Sequence, residues 1–226
     1  MAQKITKILL GTALVPFCLG FTWQLAATII NVRYKIATPY YFFAGILTYL
    51  IIHFLLKKPI LTYVVGHEIT HALFAMFFGG SVQSFHAGRR GGRVTISKSN
   101  FIITLAPYFF PLYTFISLIL YWIAGVANAR SEAFDVLIFL SGATFAFHLV
   151  LTFLFLRTDQ ADIREHGAVF SYPLIYLFNI LFTAFLLYVY LAENMSYIRF
   201  LLGGIIKTIN TMSLILDGLF SIVRPA

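Results

Sequence analysis

Charge is what this chain has least of. Only 11% of its 226 residues are Asp, Glu, Lys or Arg, against about 25% in ordinary soluble domains. With 60% of residues hydrophobic, a soluble chain of this size has too little polar surface to cover its apolar side chains. A bilayer removes that requirement, because lipid solvates the outside. Cysteine is nearly absent as well: Cys18 alone rules out an internal disulfide and a cysteine-rich metal site. Acidic residues number 8 against 16 basic ones, yet the positive surplus does not gather into a nucleic-acid face. It falls in short gaps between apolar runs, at Lys4 and Lys7, Arg33 and Lys35, Lys57 and Lys58, and Arg89, Arg90 and Arg93. That pattern suits the anionic headgroups of a lipid bilayer, and nucleic acid is not an expected partner.

About 20 apolar residues in a helix cross the hydrocarbon core. Six stretches fit, at 8–31, 38–56, 59–80, 101–125, 133–157 and 170–191. The first is longer than a signal-peptide core and lacks a small-x-small cleavage pattern, so a retained span is expected. Pro107 and Pro111 should kink or break the fourth. Residues 81–100 are polar, glycine-rich and β-branched on either side of 88–92, which predicts a short β-hairpin, with a solvated basic loop as the alternative. After Glu193, the residues Lys207, Asn210, Thr211, Asp217, Ser221 and Arg224 recur at helical spacing. They predict an amphipathic helix over 196–224 that lies at the interface rather than a seventh span. The expected fold is therefore an all-α polytopic membrane protein, one membrane-embedded domain over 1–226. It has about six transmembrane helices, a short β-hairpin after the third and a C-terminal amphipathic helix.

The third run contains His67-Glu68-Ile69-Thr70-His71. On a helix, residues four apart project from one face, so two imidazoles there can share one zinc ion. Glu68 sits to the side, placed to take a proton from a water on that ion, whose pKa the metal lowers toward about 7. Two histidines and a glutamate inside an apolar helix are costly in lipid unless they face a partner or a wet cavity. A polar cluster bonding neighbouring helices is the plainer alternative. Catalytic zinc takes three protein ligands and keeps a position for water. The third ligand must come from elsewhere: Asp159, Asp162 and Glu165, after the fifth run, are candidates, as is His148 inside it.

The HEITH motif in a span, a glycine-rich segment after it and a distal aspartate together resemble the site-2 protease family of intramembrane zinc metallopeptidases. The resemblance covers about residues 59–180, the expected catalytic core. The proline-interrupted stretch TLAPYFFPL at 104–112 is similar to that of compact bacterial members, and no PDZ insertion is visible within these residues. The resemblance implies that His67, His71 and Asp162 hold zinc and that Glu68 is the catalytic base. It implies a membrane-protein substrate and a multi-pass location in a bacterial cell membrane. It also implies β-structure at 81–100 beside the site, where an unwound substrate adds as a strand. The family's aspartate commonly sits in an Asn-Pro-x-Asp-Gly string. Here the string is Gln160-Ala161-Asp162-Ile163, with Gln160 standing in for the asparagine that handles substrate backbone.

Two other readings compete. One is a catalytically silent relative that binds membrane partners, the other a small transporter whose polar residues line a path. Metal content separates the first from an enzyme, and flux that survives chelation would mark the second.

Overall fold

The computed structural model describes residues 2–56 and 58–223. Lys57 and Arg224, read above as parts of a gap between apolar runs and of a polar helix face, lie outside them. In chain order the elements are α1 (Ala2–Asn31), α2 (Thr38–Leu55), α3 (Ile60–Phe77), β1 (Val82–Gly88), β2 (Gly91–Ile96), α4 (Phe101–Phe109), α5 (Leu112–Val126), α6 (Ser131–Leu156), α7 (Ala161–His166), α8 (Ala168–Leu186), a π-helical turn (Leu187–Leu191) and α9 (Tyr197–Val223). In lipid, every backbone N–H and C=O must be bonded within the protein, which is why the apolar runs become helices. Among the described residues, six helices are long and apolar enough to cross a membrane: α1, α2, α3, α6, α8 with its π turn, and α9. The all-α polytopic architecture expected from composition is the one observed.

The described residues form two compact units, one of residues 2–35 and 166–223, the other of Ile36–Glu165. In the second, α2 and α6 meet through glycine. A Cβ on Gly45 would stand 2.0 Å from the Phe139 carbonyl oxygen, and one on Gly142 2.0 Å from that of Phe42. Small residues allow such backbone approach, which drives helix association where no hydrophobic effect operates. Phe42 meets Gly142, and Tyr49 packs edge-on against Phe147, so α2 and α6 run parallel.

That direction decides what the fourth expected span does. It is broken between α4 and α5, whose axes differ by 75°. Crossing by α2 and then α3 returns the chain to the side where α6 must start. A further crossing by α4–α5 would turn α6 antiparallel to α2. The pair therefore dips in and comes back. Contacts agree: the chain descends along α3 from Ile103 of α4, against His71, to Tyr113 at the start of α5, against Thr62. Helix α5 then climbs along α6, from Tyr113 on Phe147 to Tyr121 on Phe134. Asn100 caps α4 by accepting the Ile102 and Ile103 amide hydrogens, both at 2.9 Å. Pro111 stands at the N-cap of α5, where a missing N–H costs little.

Helix α3 ends at Gly79, whose φ of +72° suits glycine and turns the chain into the hairpin. Strands β1 and β2 pair antiparallel, with Phe85 opposite Val94 and Gly88 opposite Gly91. The hairpin, rather than the loop, is what residues 81–100 form.

In the other unit, α8 lies parallel to α1, from Gly11 against Val169 to Thr22 hydrogen-bonded to Tyr176 at 2.9 Å. Helix α9 runs antiparallel to α1, with Gly20 on Thr208 and Gln24 on Gly203. The Lys207 ammonium sits 5.3 Å from the Trp23 ring centroid, a cation–π contact. The amphipathic helix is thus present, but it lies lengthwise beside a span and is itself long and apolar enough to cross. Its length and composition make it a candidate span as well as an amphipathic helix.

Candidate metal centre

One turn of α3 brings the HEITH side chains onto the face that α4 covers. His71 is anchored there: its Nδ1 lies 2.9 Å from the Ile103 carbonyl oxygen. An acceptor at Nδ1 requires the proton on that nitrogen, which leaves the Nε2 lone pair outward. His71 Nε2 stands 3.6 Å and His67 Nε2 3.4 Å from Asp162 Oδ2. The three side chains are mostly buried, 11%, 10% and 23% exposed for His67, His71 and Asp162.

Asp162 arrives from outside the spans, in the first turn of α7. Tyr108, fully buried in α4, donates its single hydroxyl hydrogen to Asp162 Oδ2 at 2.9 Å, with Gln160 Oε1 3.3 Å from the same oxygen. Burial alone would push the Asp162 carboxyl up. The His67 and His71 rings, donating to it when protonated, outweigh it and hold the group well below the usual carboxylate range. The ionised form is the one a metal needs.

Among the described residues, His67, His71 and Asp162 form a group whose donor atoms all lie within 4.8 Å of one another. The fit to a tetrahedral cation can be tested by arithmetic. Two ligands about 2.1 Å from such an ion stand about 3.4 Å apart. Both nitrogen–oxygen separations match that spacing, and both exceed the about 2.7–2.9 Å of a tight charged hydrogen bond. Two imidazoles and one carboxylate are also the donor set of catalytic zinc.

The other candidates for third ligand fall away on position. Asp159 is 70% exposed and paired with Arg164. His148 borders a separate, 20 Å³ cavity on the far side of His67. Glu165 lies on the wall of the main cavity but outside the three-residue group.

No family model, curated protein or solved structure matches the chain.

The group opens on a cavity of about 630 Å³ that Glu68 also lines. Strand β2 forms one wall. A Cβ on Gly92 would lie 2.5 Å from Glu68 Cγ and 2.6 Å from Oε1, so only glycine lets the backbone rest there. Val94 lines the same cavity wall as Glu68. Of the three hairpin arginines, Arg90 and Arg93 line the cavity and Arg89 does not. Gln160 lines it too, but its amide is engaged by its own chain. The Nε2 donates to Phe155 O at 3.2 Å and Thr158 Oγ1 at 2.6 Å. Sequence reasoning missed Tyr108, Gly92 and the Ile103 carbonyl. Only Pro107, a proline in an apolar run, signalled that a backbone group nearby was available.

Proposed function

We propose that the chain is an intramembrane zinc metalloendopeptidase of the site-2 protease kind, hydrolysing a peptide bond in or near a transmembrane segment of another membrane protein. Its proposed setting is a bacterial cell membrane. The observation that supports this most is the meeting of Asp162, from beyond α6, with the two α3 imidazoles in the cavity that Glu68 lines. The motif resemblance points the same way.

His67, His71 and Asp162 would hold the ion. When bound there, zinc supplies a Lewis acid that polarises a carbonyl and makes water acidic near neutral pH. Glu68 is the proton carrier: its carboxylate takes a proton from the attacking water and delivers it to the leaving amide nitrogen. The Gly92 backbone lies directly against that carboxylate, at the cavity wall. Tyr108 fixes the Asp162 carboxylate through Oδ2. Strand β2 lies along the cavity, where an extended substrate segment can run beside it.

Glu68→Gln tests the reading. The variant should keep its zinc and lose cleavage of a membrane-embedded reporter by at least about a hundredfold, the usual worth of a general base. Undiminished turnover would reject Glu68 as the base. A wild-type protein that carries no zinc would favour the silent, partner-binding relative.

A further inference from the structure

We propose that Pro107 is a positioning residue for His71. By lacking an amide hydrogen it leaves the Ile103 carbonyl to the His71 ring, and so sets which imidazole nitrogen faces Asp162. The inference rests on the ligand role given to His71 above.

In a regular α-helix the N–H of residue 107 would bond to the carbonyl of residue 103. Proline has no such hydrogen, and its ring crowds the carbonyl four residues back. Ile103 is 1% exposed, so water does not reach that oxygen readily. A buried carbonyl deprived of its helical donor needs another. His71 Nδ1 supplies it at 2.9 Å. The exchange has a chemical consequence. With the proton held on Nδ1, the lone pair is at Nε2, on the side of Asp162 Oδ2. Partners of this kind fix the tautomer and orientation of metal-binding histidines.

His67 offers an internal contrast. Its Nδ1 is buried and has no hydrogen-bond partner among the described residues. The proline therefore anchors one ring of the pair and not the other. Pro111, four residues on, caps α5 and serves as a control.

The test uses the full chain, labelled with ¹⁵N-histidine and free of metal. At a pH where both rings are neutral, wild type should show His71 in the Nδ1-protonated tautomer. Pro107→Ala restores the helical donor and should convert His71 to a mixture of tautomers, leaving His67 unchanged, whereas Pro111→Ala should leave both rings as they are. Zinc competition against a chelator should then give about tenfold weaker binding for Pro107→Ala, the lower end of what outer partners of a ligand contribute. Should Pro107→Ala fail to fold, the wild type alone decides: a through-bond coupling between the His71 ¹⁵Nδ1 and the Ile103 ¹³C carbonyl should be detected, as a shared hydrogen bond requires.

An unchanged His71 tautomer in Pro107→Ala overturns the inference, whatever the metal does. So does the absence of that coupling in the wild type. A wild type that binds no zinc overturns the metal reading instead, and the tautomer shift still decides the part played by Pro107.

Discussion

Asp162 Oδ2 receives the Tyr108 hydroxyl and faces both imidazoles, so three groups depend on one carboxylate oxygen. Asp162→Asn preserves shape and removes charge. It should abolish zinc binding at stoichiometric metal while the helical circular-dichroism signal persists. Asp159→Asn, three residues away and paired with Arg164 at the surface, should bind zinc like wild type. Equal zinc content in the two variants would refute the ligand assignment. Tyr108→Phe deletes only the hydroxyl. A hydrogen bond to a charged group contributes about 1.5–3 kcal/mol, and loss of an outer partner weakens metal about 10–100-fold. Isothermal titration with zinc should show that loss. These two aspartates also mark a limit of sequence reading. Both sit in one short polar stretch whose residue types leave either open as the proposed ligand, and only the motif resemblance favoured Asp162. Only the start of α7 turns one inward and leaves the other at 70% exposure.

At the scale of elements, α2 and α6 are joined by glycine contacts at Gly45 and Gly142 and by the packing of Tyr49 on Phe147. Gly142→Val would force the Phe42 carbonyl away, since even a Cβ would stand 2.0 Å from it. Overpacking of this kind costs about 1–3 kcal/mol. Gly125→Val, in open space near the end of α5, should cost much less. Thermal unfolding of the two variants in detergent checks the difference, and equal midpoints would count against the packing. Most elements were legible because hydropathy and turn chemistry are local: the long apolar runs became helices, and the glycine-rich, β-branched stretch became β1 and β2. The pair α4–α5 was legible only as an interruption. Pro107 and Pro111 announce a break, but whether the chain goes on or turns back depends on the parallel contact of α2 with α6, a long-range fact. Likewise the polar residues of α9 read as a water-facing stripe. Trp23, Gln24 and Gly20 on α1 give three residues of that helix another set of neighbours, and no local signal announces it.

For the whole molecule, the returning α4–α5 pair and the antiparallel α1–α9 pair fix which ends share a side. Lys98, after the hairpin, and Ala129, between α5 and α6, should lie on one face of the membrane. Lys4 on α1 and Asp217 on α9 should likewise share a face. With Cys18 replaced by serine, single cysteines at these four positions can be tested with an impermeant maleimide on sealed, oriented vesicles. Labelling of Lys98→Cys and Ala129→Cys from opposite faces would make α4–α5 a true crossing. Opposite labelling of Lys4→Cys and Asp217→Cys would break the α1–α9 pairing.

Gly92, resting against the Glu68 carboxylate, makes the hairpin unequally tolerant of change. In a saturation library spanning 88–96, position 92 should reject even alanine, because the added carbon would have to displace the carboxylate itself. Gly88, whose nearest neighbour would be 3.6 Å away, should accept it. Shortening the acid with Glu68→Asp should make room and bring part of the alanine variant back. Evolution of this strand is thus tethered, at one position, to the length of a side chain on another element.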